Sequence, residues 1–145
     1  MTTTDALTAE LFDALTDASL LRHLLDTAAT SEERAKENLE MCMKMQEYLM
    51  KVYPEGTTLP REWPEAIGNL TAMTALLAMM ANHSDELVKL AVDNVRFVET
   101  EVEHSLLCST VLGIYDTSNG ITDAAKMRAV WLMTSSLDLL EGLGK

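Results

Sequence analysis

The residue types best suited to chemistry lie at Glu101-Val-Glu-His104, where a carboxylate and an imidazole stand three residues apart. On a helix that spacing sends both side chains from one face, as in bundles that hold two metal ions. Such a centre also takes a second Glu-x-x-His and two further glutamates from facing helices. His23 and His83 are preceded three residues earlier by Leu20 and Met80, so the second half is missing. Glu37-Asn-Leu-Glu40 is a carboxylate pair able to grip magnesium, but it needs a partner pair on another helix. Glu62 and Glu65 fall in a proline-rich stretch, and the Glu-x-x-Asp formed by Glu10 and Asp13 comes before the pair. A solvated acidic patch with an exposed histidine is the simpler reading of the first motif, and surface ion pairing that of the second. A metal-dependent helical-bundle enzyme using Glu101 and His104 is therefore the alternative reading, and neither metal nor cofactor is expected.

Nucleophilic catalysis has no visible scaffold. Three histidines, two cysteines and scattered serines compose no Ser-His or Cys-His pair, and no strand–turn–helix elbow exposes a nucleophile. There is no glycine-rich phosphate loop and no basic stripe interleaved with aromatics. The expectation is a protein that is not an enzyme. Cys42 and Cys108 match no metal or redox spacing, so reduced thiols in a cytoplasmic protein are expected. A disulfide between them would require their helices to touch.

With 23 acidic and 11 basic residues the formal net charge is −12. That field opposes nucleic acid and anionic membrane surfaces and favours a protein partner with a basic surface, although acidity also serves solubility alone. Two rows of acids are the candidates for such contact. Glu10, Asp13 and Asp17 share a face of the first helix. Glu99 and Glu103 stand four apart on a later one, where like charges are mildly destabilising without a facing cation.

The elements that must position these residues read as helices. In 145 residues, 48% are hydrophobic and only 5% aromatic, with ten methionines, a composition suited to helix packing. Leu7, Leu11, Ala14, Leu15, Ala18, Leu21 and Leu25 form one apolar stripe, predicting a first helix over 5–28. Thr30-Ser-Glu-Glu33 reads as a capping box opening a second helix to Tyr53. Its polar edge carries Glu32–Lys36, Glu40–Lys44 and Glu47–Lys51, each acid four residues before its base. Leu39, Cys42, Met43, Leu49, Met50 and Tyr53 make one apolar row, and Met41, Met45, Tyr48 and Val52 another. That is more apolar width than one neighbour covers.

Three prolines and a glycine make 54–64 a connection, with Trp63 expected to pack back and Pro64 suited to the next helix's first turn. The third helix, 64–81, has no charge over 70–81 and is expected to be the most buried. Asn82 or Ser84 caps a long fourth helix over 85–114, with Leu87, Leu90, Ala91, Val95, Val98, Val102 and Leu106 as its apolar row. Val98 to His104 also alternates like a strand, but no segment offers it a partner, so helix is preferred. Thr122 caps a fifth helix through Val130, Met133, Leu137 and Leu140, ended by Gly142.

The expected architecture is all-α, a single-domain antiparallel bundle of four to five helices over 1–145. No segment approaches the ~18 apolar residues of a membrane span, and Met1 to Asp5 does not open a secretory leader. The sequons at Asn69 and Asn82 are therefore read as chance matches. The expected function is a small non-catalytic protein-binding module, of inhibitor, immunity, anti-defence or adaptor type. It acts through helix surfaces, with Glu10, Asp13, Asp17, Glu99 and Glu103 as contacts. The excess apolar width of the second helix adds a homodimer, or a purely structural dimerisation domain, to the readings.

Overall fold

The computed structural model describes residues 3–52, 63–81, 84–101, 106–117 and 123–143, with side chains for 9–51, 65–81, 84–100, 106–117, 126–140 and 142. Among them the chain is all-helical: α1 Thr3–Thr16, α2 Ala18–Ala28, α3 Glu32–Val52, α4 Trp63–Met80, α5 Asp85–Glu101, α6 Leu106–Thr117 and α7 Asp123–Leu143. Seven helices thus stand where four to five were expected. None is long and apolar enough to cross a membrane.

The uncharged run decides the arrangement. A helix apolar on every side must be covered on every side. Every residue from Gly68 to Ala81 is buried, and α4 touches all six other helices. Around it α2 packs on α3 and α7, α6 on α5 and α7, and α1 on α2. Leu70, Met73, Leu76 and Leu77 are each at most 2% exposed, and full burial of such a side chain stabilises by about 1.5–3 kcal/mol. Thr71 and Thr74 are tolerated here because their hydroxyls donate back to the Ile67 and Leu70 carbonyls at 2.8 Å. Asn69 is buried on the same helix, so its sequon is closed to modification.

Both extra helices arise from breaks inside stretches whose apolar periodicity runs on. Asp17 leaves the helical region, with φ −82° and ψ 110°, and its carboxylate accepts the Ser19 amide at 2.8 Å. An aspartate gains more as an N-cap than inside a helix, and so α1 ends and α2 begins. The carbonyls this frees are satisfied locally and from afar. Thr16 donates its hydroxyl to the Phe12 and Asp13 carbonyls, and Asn69 reaches from α4 to the Leu15 carbonyl at 3.0 Å. Asn38, buried on α3, likewise donates to the Leu24 carbonyl of α2 at 2.9 Å.

The second break separates α5 from α6. Arg96 is ion-paired with Asp116, twenty residues on, and Ser109 donates to Glu99 at 3.4 Å. In one continuous helix a twenty-residue separation would span about 30 Å. Here α5 and α6 instead pack on each other. Residues 98–101 are helical, and the rest of the alternating segment lies outside the described residues. The expected apolar row shifts as well. Val88, Val92 and Val95 are the buried stripe of α5, Leu87, Ala91 and Val98 are half-buried, and Leu90 is exposed.

The start of α3 also differs by one residue from the capping box read at Thr30. Ser31 accepts the Arg34 amide at 3.1 Å, while Thr30 donates to the Thr27 carbonyl and closes the turn after α2. Ser84 caps α5 as expected, accepting the Leu87 amide at 3.3 Å. Pro64 stands in the first turn of α4. The packing of Trp63, the 54–62 stretch and the cap at Thr122 lie outside what is described.

Two stability outcomes follow from this packing. Leu77→Ala, at a fully buried position of α4, is expected to cost about 2–5 kcal/mol in urea unfolding. An unchanged midpoint would mean that α4 is not the centre of the core. Ser31→Ala is expected to cost about 0.5–2 kcal/mol and Thr30→Ala less; the reverse order would restore the cap to Thr30.

Candidate functional site

The acid row expected on the first helix is divided by the break that creates α2. Glu10 and Asp13 are exposed on α1. Asp17 is exposed too, but its carboxylate is engaged by the Ser19 amide as the cap of α2. Its first task is structural. Of the second row, Glu99 is half-buried and takes the Ser109 hydroxyl across the α5–α6 contact. Glu103 lies outside the described residues, as do His104 and the Glu101 side chain. Glu37 pairs with Arg34 at 3.6 Å and Glu40 is exposed. Among the described residues no three His, Cys, Asp or Glu side chains converge as a metal ion would need.

Of the three ion pairs expected along α3, Lys36–Glu32 and Lys51–Glu47 form, at 3.9 and 3.7 Å. Among the described residues Glu40 and Lys44 form none. Between helices, Arg22 of α2 meets Asp138 of α7 at 2.7 Å, and Arg96 meets Asp116. The half-buried Arg22–Asp138 pair contributes at most about 1 kcal/mol, and the exposed Arg96–Asp116 pair is screened by solvent.

The feature that periodicity did not single out is apolar and faces water. Leu90 and Phe97 of α5 are 59% and 67% exposed, one heptad apart. Glu86 and Asp93 alternate with them, so that Glu86, Leu90, Asp93 and Phe97 follow at steps of four, three and four along one stripe. Asp85 extends the exposed acids of this helix. Lys89 is the exposed base beside them, and Arg96 is already held by Asp116. Met127, Trp131 and Leu139 line the outer face of α7 beside exposed Arg128. Met41, Met43 and Met50 are exposed on α3, so the excess width of that helix is surface, whereas Met73, Met79 and Met80 are core. Helices α3, α5 and α7 do not touch one another, and the three apolar faces are separate. Sequence alone does not mark the α5 stripe, because Leu90 reads as part of the helix's apolar row and only the burial of Val88, Val92 and Val95 shows it turned outward.

Neither cysteine is placed for redox work. Both are buried thiols, and α3 and α6 do not touch, which rules out a bond between Cys42 and Cys108. Cys108 donates to the Gly68 carbonyl at 3.3 Å and ties α6 to α4. Burial pushes the Cys42 thiol up to about 12, with the Thr74 hydrogen bond offsetting a little. The unfolded thiol ionises near its ordinary 9.0 while the folded one stays protonated. The stabilisation is therefore complete below pH 9 and is lost as pH rises through the folded value near 12. In urea unfolding, wild type is expected to lose stability relative to Cys42→Ala across that alkaline window; parallel profiles would show that Cys42 ionises as freely folded as unfolded.

No protein-family model, no curated protein and no solved structure matches the chain, so its function is read from these faces and their charges.

Proposed function

We propose that the chain is a non-catalytic protein-binding module, of inhibitor, immunity, anti-defence or adaptor type, that takes a partner with a basic surface. The observation carrying this reading is the outward stripe of α5, where exposed Leu90 and Phe97 alternate with Glu86 and Asp93. Association gains most from a few large side chains that lose all their water, with aromatics prominent among them. Leu90 and Phe97 are anchors of that kind. The surrounding acids supply steering, raising the rate of encounter with a basic surface and disfavouring acidic ones. The net charge of −12 acts in the same direction over longer range.

The stripe takes over the role expected of the two acid rows. Glu10 and Asp13 keep an exposed acidic surface on α1, but without a large exposed apolar side chain among the described residues near them. Asp17 and Glu99 are engaged within the fold.

Capture with the immobilised chain tests the reading through its variants. The proteins retained specifically are expected to be basic, and to be lost from Leu90→Ser/Phe97→Ser. Glu86→Lys/Asp93→Lys is expected to weaken retention by roughly tenfold, and wild-type retention to fall with added salt. Glu10→Lys/Asp13→Lys is expected to reduce it far less. Equal retention by wild type and both α5 variants would refute the proposal, and loss confined to the α1 variant would move the surface to that helix.

A further inference from the structure

The solvent face of the second half of α3 repeats itself after seven residues. Glu40, Met43 and Lys44 are followed by Glu47, Met50 and Lys51, and all six are exposed. Glu40, Met43, Lys44, Gln46, Glu47 and Met50 border an open depression of about 430 Å³. Two acids and two bases balance here, on a chain whose net charge is −12.

We propose that this face is a two-fold interface on which α3 packs antiparallel against α3 of a second copy. The charges carry the argument. The midpoint between Glu40 and Lys51 is also the midpoint between Lys44 and Glu47, and falls between Met45 and Gln46. A two-fold axis through that point sets Glu40 of each copy opposite Lys51 of the other, and Lys44 opposite Glu47. Four cross-chain pairs form from residues weakly committed within the chain. Among the described residues Glu40 and Lys44 form no ion pair, and Lys51–Glu47 is a surface pair at 3.7 Å with both side chains largely exposed. The same operation interleaves Met43 and Met50 of the two copies, and unbranched thioethers adapt to a shallow depression more readily than branched side chains do.

A closed dimer must present the same patch twice, so a patch of one sign repels itself. That disfavours the α5 stripe, where Glu86 and Asp93 outnumber Lys89. The α3 face is neutral and self-complementary. A single helix pair of this length buries less than the ~1,200 Å² of stable interfaces, so the dimer is concentration-dependent.

Sedimentation equilibrium of the full chain, from low micromolar to several hundred micromolar, tests the interface. Wild type is expected to pass from monomer to dimer. Lys44→Glu/Lys51→Glu and Glu40→Lys/Glu47→Lys are each expected to remain monomeric, with unchanged helix content by circular dichroism. Mixed in equal amounts they are expected to form a dimer of one copy each, and the fully exchanged E40K/K44E/E47K/K51E chain to dimerise with itself. Leu90→Ser/Phe97→Ser is expected to leave association untouched, which separates this interface from the α5 stripe. A wild type that stays monomeric throughout would overturn the proposal. Charge variants that dimerise like wild type, or a mixture that stays monomeric, would do the same.

Discussion

The structure depends on one helix that has no side to give to water. From Gly68 to Met80 the side chains of α4 are apolar or small, or are hydroxyls and an amide hydrogen-bonded to backbone carbonyls. Covering such a helix takes more neighbours than a simple up-and-down bundle supplies. Four long companions would leave gaps or overrun its length. A continuous helix over 5–28 would extend about 36 Å, while α4 with its 18 residues extends about 27 Å. Breaking the first stretch at Asp17, and separating α5 from α6, turns two long rods into four shorter ones. All four reach α4.

The break at Asp17 creates helix ends beside the core, where unpaired carbonyls are costly. Two buried amides meet that need: Asn69 at the end of α1 and Asn38 at the last turns of α2. Ser136 instead joins two helix middles, through a 2.7 Å hydrogen bond with Thr110 between α7 and α6. No buried side-chain nitrogen or oxygen among the described residues lacks a partner. Polar groups so satisfied disfavour alternative helix registers, because a slip of one residue would leave each donor and its carbonyl unpaired.

Charge is arranged around this core by the same logic. Bases join helices where an acid on a neighbour is within reach, as Arg22 does with Asp138 and Arg96 with Asp116. The surplus is acid and lies outward. Two of the exposed apolar faces consequently differ in electrical character. The α5 stripe is acidic and therefore complementary to something unlike itself, whereas the second half of α3 is balanced and complementary to itself.

By itself the sequence determined the secondary-structure class, the burial of α4, the Ser84 start of α5 and the inward set of α7, including Met133 and Leu137. These rest on local chemistry: helical spacing, missing charge and capping side chains act between residues a few positions apart. The number of helices was decided by tertiary structure. An apolar stripe can continue in phase across a break, and the carbonyl left at the end of α1 is met only in the folded chain, where Asn69 donates to Leu15 from 54 residues away. The α5 stripe was hidden for a related reason. Leu90 and Phe97 are as apolar as any core residue, and only the placement of α4 and α6 settles that Val88, Val92 and Val95 face inward while these two face water.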